Sequence, residues 1–201
     1  MNLKYTVIKI VLAVIVVVLA YMIYESIMRP VRFNAATSAR EDKVIQRLID
    51  LRTSQMFYKR EHNRYTASFD TLLSFLTKGE IPVIKIIPDP NDTTFTKTIS
   101  DTLGYVKVAD SLFHSRPTFV IDSLRYIPYT NDIEFEMAAG SIDRGGIKVS
   151  VYEIKAPYNT FLKGLDRQLV TNLIKSKEDV DRYPGLKFGS MEEPSTDGNW
   201  E

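Results

Sequence analysis

The longest hydrophobic pattern in the chain is an almost unbroken apolar run near its start. Residues 5–24 read YTVIKIVLAVIVVVLAYMIY, with Lys9 as their one charged residue. A helix rises about 1.5 Å per residue, so this length matches the roughly 30 Å hydrocarbon layer of a bilayer. Lysine near a helix end extends to the headgroups, and aromatic residues are common at the interface. The run predicts a transmembrane anchor, marked by Lys9, Ala13, Val17, Ala20 and Tyr24.

The alternative for this run is a cleaved signal peptide, which has a shorter apolar core and small residues directly at the cut. Here YESIMRP follows the run, and the small residues AATSA stand further along, at 35–39. We therefore predict an uncleaved anchor. Residues 1–29 would form a short head and the transmembrane helix, and residues 30–201 an ectodomain.

Beyond the anchor, apolar positions recur at helical spacings of three and four. Pro30 removes a backbone donor and crowds the preceding turn, which predicts a kink or break, with Asn34 as the cap of a restarted helix. That helix should run to about residue 61. Its predicted inward stripe is Val44, Leu48, Leu51, Gln55 and Tyr58.

A second, shorter helix is predicted after a polar turn. Ser68 is a typical N-cap, Gly79 a typical stop, and Pro82 lies just beyond. The apolar positions between them have helical spacing, and we expect them to be buried: Phe69, Leu72, Leu73 and Leu76. The two helices together predict a helical hairpin.

After Pro82 the chain contains short runs rich in β-branched and aromatic residues, which predict strands. They lie at 83–87, 105–109, 118–129, 132–142 and 146–154. The last two runs alternate clearly and are joined by DRGG, which predicts a β-hairpin. The expected result is a small antiparallel sheet of about four strands.

A further helix is predicted over residues 159–180, because its apolar residues again have helical spacing. Its inward positions would be Phe161, Leu162, Leu165, Leu169 and Leu173. The remainder, YPGLKFGSMEEPSTDGNWE, is rich in turn residues and predicts little strand. The fold class expected is therefore α+β, with an N-terminal transmembrane helix continuing into an amphipathic helix and a helix near the C-terminus.

Composition and charge narrow the function classes. Apolar residues make up 44% and charged residues 25% of the chain, which is typical of a folded globular domain. The formal net charge is +1, so there is no excess of basic residues for nucleic-acid binding. The chain has no cysteine, which excludes disulfides and thiolate chemistry within it.

Candidate chemical groups are few and scattered. His62 and His114 are each isolated from a second imidazole, and we interpret both as surface turn residues. The oxygen-rich stretches DPND at 89–92 and TDGNWE at 196–201 fit ordinary turns better than calcium loops. We predict no catalytic residues, no metal site and no cofactor. Arg52, Gln55 and Tyr58 are polar groups on an inward stripe, and such groups need internal partners, so we expect them to order the junction between helix and turn.

The segment VIQRLIDLRTSQMFYKREHNRYTASFDTLLSFL, following a hydrophobic helix and a proline, resembles the type IV pilins and the pseudopilins of type II secretion. The likeness is to the N-terminal half of the major pseudopilins, and it rests on Leu51, Arg52, Gln55, Tyr58, Tyr65, Ser68, Asp70 and Leu72. It adds Tyr65, Asp70 and Leu72 to the expected helix–turn junction. The motifs YKREHNRYTASFDTLLSFL, LKGL and YPGLKFGS with the final GNWE also resemble an uncharacterised single-pass envelope protein group of Bacteroidota. That likeness spans nearly the whole chain and implies no function.

The chain departs from the pilin pattern where processing occurs. Pilins and pseudopilins have a glycine before the prepilin peptidase cut and a glutamate just inside the mature helix. Here the first glycine is Gly79, and Glu25 stands at the far end of the anchor. The architecture also resembles the bitopic assembly proteins of pilus and secretion platforms, which keep an uncleaved helix and a small periplasmic domain.

These observations lead us to expect a membrane-anchored structural or interaction protein of the bacterial envelope, pilin-like or pseudopilin-like, in a pilus-type or secretion-type assembly. Its partners would be the lipid bilayer and other membrane-anchored helices, and it would be oligomeric. A short head and a large folded tail favour a single-pass inner-membrane protein with a cytoplasmic N-terminus and a periplasmic domain. The alternative is a membrane-tethered module that binds a ligand or partner without an assembly role. An enzyme is the interpretation that the sequence favours least.

We predict that the protein keeps its N-terminus, because the first 78 residues contain no glycine for prepilin peptidase to recognise. The intact mass of protein purified from membranes should equal that of the full chain, less at most Met1. A mature N-terminus between residues 2 and 39, other than simple loss of Met1, would contradict this expectation.

Overall fold

The computed structural model describes residues 3–88, 98–116 and 118–201 of an α+β chain. The helices are α1 (Leu3–His62), α2 (Phe69–Lys78), α3 (Val108–Phe113), α4 (Tyr158–Phe161) and α5 (Arg167–Glu178), with one 3₁₀ turn at Ile121–Arg125. The strands are β1 (Glu80–Pro88), β2 (Thr98–Lys107), β3 (Glu136–Arg144), β4 (Ile147–Pro157) and β5 (Gly185–Ser190).

Helix α1 runs without interruption for 60 residues, or about 90 Å. The predicted break at Pro30 and restart capped by Asn34 are wrong, because Pro30 lies inside the helix and Asn34 is exposed within it. A proline removes only one helical hydrogen bond. Contacts with the domain hold the helix on its C-terminal side, where Phe33 and Thr37 are buried. A bend at Pro30 within the continuous helix stays a prediction.

The second half of α1 is the spine of the domain. The predicted stripe is confirmed: Val44, Leu48, Leu51 and Gln55 are fully buried, and Tyr58 is 3% exposed. These residues belong to, or lie among, one core that also contains side chains of α2, β4 and β5. The domain is therefore assembled around one helix face.

Helix α2 has the ends and the buried face that the sequence predicts. The Ser68 hydroxyl accepts a hydrogen bond from the Thr71 amide, and the buried residues are Phe69, Leu72, Leu73 and Leu76. At Gly79 a Cβ would lie 2.4 Å from the Phe75 carbonyl oxygen, so the helix end admits only glycine without rearrangement. The pair is not the helical hairpin we predicted, since ten residues of α2 lie beside a helix of 60.

The strands form two sheets within the described residues, not one sheet of four. Strands β1 and β2 make an antiparallel ribbon, and β3, β4 and β5 make an antiparallel sheet with β4 in the centre. The predicted β-hairpin is confirmed: β3 pairs with β4 through a two-residue turn at Gly145 and Gly146, both with positive φ.

The strand predicted at 118–129 is wrong. This segment contains the 3₁₀ turn and makes only one isolated bridge, between Tyr126 and Glu134. Its apolar residues Leu124 and Ile127 are buried as packing side chains. Apolar β-branched composition indicates burial and does not by itself determine backbone conformation.

The tail, predicted to contain little strand, supplies β5. Added Cβ atoms at Gly185 and Gly189 would lie 2.3 Å and 2.2 Å from carbonyl oxygens of β4, and Gly189 has φ +74°. These glycines therefore permit a close approach to β4 while the chain continues as a strand. In this segment the glycines, which are typical of turns, instead allow β5 to pack closely against β4.

The predicted helix over 159–180 is divided in two. Gly164, with φ +88°, lies between α4 and α5, and the Asp166 side chain caps the second helix. Phe161 and Leu162 are buried as expected. The other three predicted inward residues are only half-buried: Leu165, Leu169 and Leu173.

We expect the fragment 34–201 to be soluble and folded, because the stripe on α1 is covered by its own domain. In that fragment Leu72→Ala should lower the free energy of unfolding by about 2–5 kcal/mol, as a large-to-small change in a core does. Urea unfolding measures this. Ser74→Ala, at an exposed position of the same helix, is the control. If the Leu72 variant unfolds at the same urea concentration as the parent, α2 does not pack as described.

Candidate functional site: the anchor helix and its seat in the domain

The first part of α1 is an apolar surface that the domain does not cover. It is long and apolar enough to cross a membrane, and none of its most apolar stretch is buried. Val17 is 68% exposed and Leu12 is 61% exposed. A contiguous apolar surface of this size requires a cover, and a bilayer is one that fits its length. The segment is therefore compatible with a single membrane anchor.

The residues predicted to mark the anchor all lie on this free part of the helix. Every one of them is exposed: Lys9, Ala13, Val17, Ala20 and Tyr24. At about 100° per residue, Ala13 and Ala20 fall on the same side of the helix. The structure thus leaves the small-residue face available for contact outside the chain.

Two arginines of α1 tie the helix to the segment between α4 and α5. Arg29 Nε donates to the Asp166 carboxylate at 2.5 Å. Eleven residues further, Arg40 donates from Nη1 to the Phe161 carbonyl at 2.8 Å and to the Lys163 carbonyl at 3.0 Å. These contacts fix the domain beside the point where the helix leaves the anchor.

A second group of contacts, one ion pair and one hydrogen bond to a serine, holds the middle of α1. Asp50 is 7% exposed and forms two hydrogen bonds with Arg116, at 2.6 and 3.0 Å. The hydrogen bond with Asp50 raises the pKa of the Arg116 guanidinium. Arg47 donates to Ser123, and burial lowers the pKa of its guanidinium. Sequence reasoning missed this group, because its partners lie 66 and 76 residues apart in the chain.

Gln55 lies at the junction between α1 and the following turn. Its Nε2 donates to the Thr66 carbonyl at 2.7 Å, and its Oε1 accepts from the Thr66 amide at 3.2 Å. A fully buried glutamine therefore takes the place of a backbone partner for both the N–H and the C=O of one residue, Thr66. This closes the turn from Asn63 to Ser68 against the helix.

Aromatic contacts surround the same junction. The Tyr58 ring stacks on His62 at 4.2 Å between centroids and meets Phe75 edge-on. Tyr65 packs against Tyr152 of β4, with centroids 4.0 Å apart. The junction thus joins α1, α2 and the central strand.

The other predicted junction residues have different positions. Arg52 contacts the C-terminal tail instead, where it donates to Glu201 at 2.6 Å, and this hydrogen bond lowers the pKa of the Glu201 carboxyl. Asp70 pairs with Arg125, and Leu72 is fully buried in α2. The tail itself is held by Asn199, whose side chain bonds to Gly185 and Lys187.

The groups considered for catalysis or metal binding do not converge among the described residues. No cluster of three His, Asp or Glu side chains is placed to hold a metal there. His62 and His114 are exposed, and 89–92 lies outside the described residues. Asp197 contacts only its neighbour Ser195 among the hydrogen bonds of its carboxylate that the structure describes.

No family model, no curated protein and no solved structure matches this chain.

Gln55→Leu should destabilise the fragment 34–201 by about 1–3 kcal/mol for each Thr66 backbone group that is left buried without a partner. The cause is loss of hydrogen bonding, since leucine fills a similar volume. Gln46→Leu on the same helix is the matched control, because Gln46 is exposed and bonds only to the Asp50 side chain among the described contacts. Equal urea midpoints for the two variants would show that the Gln55 pairing contributes nothing.

Proposed function

We propose that this protein is a membrane-anchored structural or interaction protein of the bacterial envelope, pilin-like or pseudopilin-like, in a pilus-type or secretion-type assembly. The proposal rests on one observation: α1 is a single continuous helix whose two parts have different surroundings. Its first part is apolar and exposed, and its second half is the spine of an α+β domain. In this proposal the anchor crosses the inner membrane once, with the N-terminus in the cytoplasm and the domain in the periplasm.

The likeness to pilins favours an assembly role, and the departures favour an uncleaved component over a polymerising subunit. The pseudopilin-like residues Gln55, Tyr58 and Tyr65 each make contacts at the junction between α1 and the following turn. The glycine required for processing is missing, and Glu25 pairs with Arg32 outside the apolar run. A helix that stays uncleaved suits a bitopic platform protein.

Contacts between anchors would form along the small-residue face. Ala13 and Ala20 let two helices approach closely, whereas the valine, isoleucine and leucine side chains around them suit lipid equally well. A single such face pairs with its own copy and closes as a two-fold dimer. A filament would need two different faces.

A second candidate is a membrane-tethered module that binds a ligand or partner. The exposed residues of the β1–β2 ribbon favour it, because Leu103 is 63% exposed and Tyr105 is 68% exposed. The C-terminal tail is packed against α1 and β5 and is less free to bind a partner. The open ribbon is therefore the surface that would carry this function.

Cysteine crosslinking in native membranes distinguishes these functions, because the chain has no cysteine of its own. We expect Ala13→Cys and Ala20→Cys to give disulfide dimers on oxidation, with weaker crosslinking at Val17→Cys. The double variant Ala13→Cys/Ile15→Cys places thiols on nearly opposite faces, about 200° apart. It should give dimers and no ladder.

Other crosslinking results would support other functions. A ladder of higher species from the double variant would indicate a heterologous, extending assembly and restore the polymerising subunit. Absence of crosslinks at all three single positions would indicate a monomeric anchor and favour the tethered binding module. Leu19→Cys, exposed on another side of the helix, is the control for random collision.

A further inference from the structure

We propose that the segment around the start of α5, residues 163–174, lies on the membrane surface, where Lys163 and Arg167 contact anionic phospholipid headgroups. The partner is the lipid surface itself. The inference rests on the proposed anchor, and it adds a second membrane contact made by the folded domain.

The position of this segment follows from the Arg29 contact. Arg29 lies five residues beyond Tyr24, or about 7.5 Å along the helix axis. The headgroup layer is roughly 5–7.5 Å thick on each side of a bilayer. Because Arg29 holds Asp166 at 2.5 Å, the start of α5 lies at or just above the headgroups.

The segment is also held in a fixed orientation. Arg40 binds the carbonyls of Phe161 and Lys163, on the other side of the loop from Asp166. Asp166 in turn caps α5 by accepting from the amides of Gln168 and Leu169. Two arginines on one rigid helix therefore set the height of the loop above the anchor.

The charge left on this surface is positive. The acids nearest the membrane are already neutralised within the chain, since Asp166 pairs with Arg29 and Glu25 pairs with Arg32. Lys163 and Arg167 are exposed, and neither forms an ion pair with any residue that the structure describes. Basic side chains at this height are attracted to anionic lipids.

The same segment offers apolar surface beside these charges. Helix α5 has no buried residue. Leu165, Val170 and Ile174 are half-buried, and they line an open groove of about 350 Å³ that Lys163 and Arg167 also border. Apolar side chains next to lysine and arginine are typical of segments that lie in the membrane interface.

Fluorescence depth measurement on the full chain in vesicles tests this placement. Gln168→Cys on α5 is labelled with an environment-sensitive fluorophore, and a nitroxide attached to lipid headgroups serves as quencher. Lys148→Cys is the matched control: it is also exposed, but it lies near Ser150, which contacts Asn63 at the far end of α1. Asn63 is about 58 Å along the helix from Tyr24.

We expect quenching of the Gln168 probe and none of the Lys148 probe. Quenching should be stronger in vesicles containing phosphatidylglycerol than in phosphatidylcholine alone, and added salt should reduce that difference. The double variant Lys163→Ala/Arg167→Ala should lose the difference between the two lipids. Both residues are exposed, so a circular dichroism spectrum equal to the parent's checks the fold.

Two results would overturn the inference alone, and a third, failure of the anchor, is distinguishable from both. If the protein floats with the vesicles but the Gln168 probe is as little quenched as the Lys148 probe is expected to be, the anchor is inserted and α5 stands away from the bilayer. If the lipid difference persists in the double variant, the two basic residues are not the contact. If the protein does not float with vesicles at all, the proposed anchor itself fails.

Discussion

The structure depends on helix α1, whose apolar side chains have different surroundings in its two parts. The first part of α1 exposes its apolar side chains on every side, whereas from Phe33 onward only one face is buried, and most of the exposed residues are polar. An interruption between the two parts would free the domain from its anchor. The ion pair of Arg29 and the hydrogen bonds of Arg40 to backbone carbonyls lie on both sides of this change, and they keep the domain against an unbroken helix.

Patterns among residues close in sequence were sufficient to predict the elements that short-range contacts determine. The stripe from Val44 to Tyr58 and the four buried residues of α2 follow from helical spacing, and Ser68 and Gly79 act through their own backbone neighbourhood. The two glycines of the β3–β4 turn are equally local. In each of these patterns, successive residues are within about one turn of each other. The sequence alone therefore shows which residues interact.

The errors occur where tertiary packing determined the backbone. Pro30 predicted a break, yet distant contacts stabilise the helix around it. Residues 118–129 have strand composition, but Leu124 and Ile127 pack as core side chains of an irregular segment. Gly185 and Gly189 suggested turns, although their small size serves the approach of β5 to β4. The partners of Asp50 and Arg52 lie 66 and 149 residues away, and no spacing pattern indicates them.

The long-range contacts of α1 have a consequence for the order of folding. Arg29 and Arg40 find their partners 137 and 121 residues later in the chain, and Asp50 finds Arg116 only after 66 residues. During vectorial synthesis the apolar stripe is therefore made long before the strands that cover it. Loop closure over such distances is slow, and the exposed stripe is prone to aggregation in the meantime. A nascent chain of this topology requires protection of the spine helix until β4 and β5 have emerged.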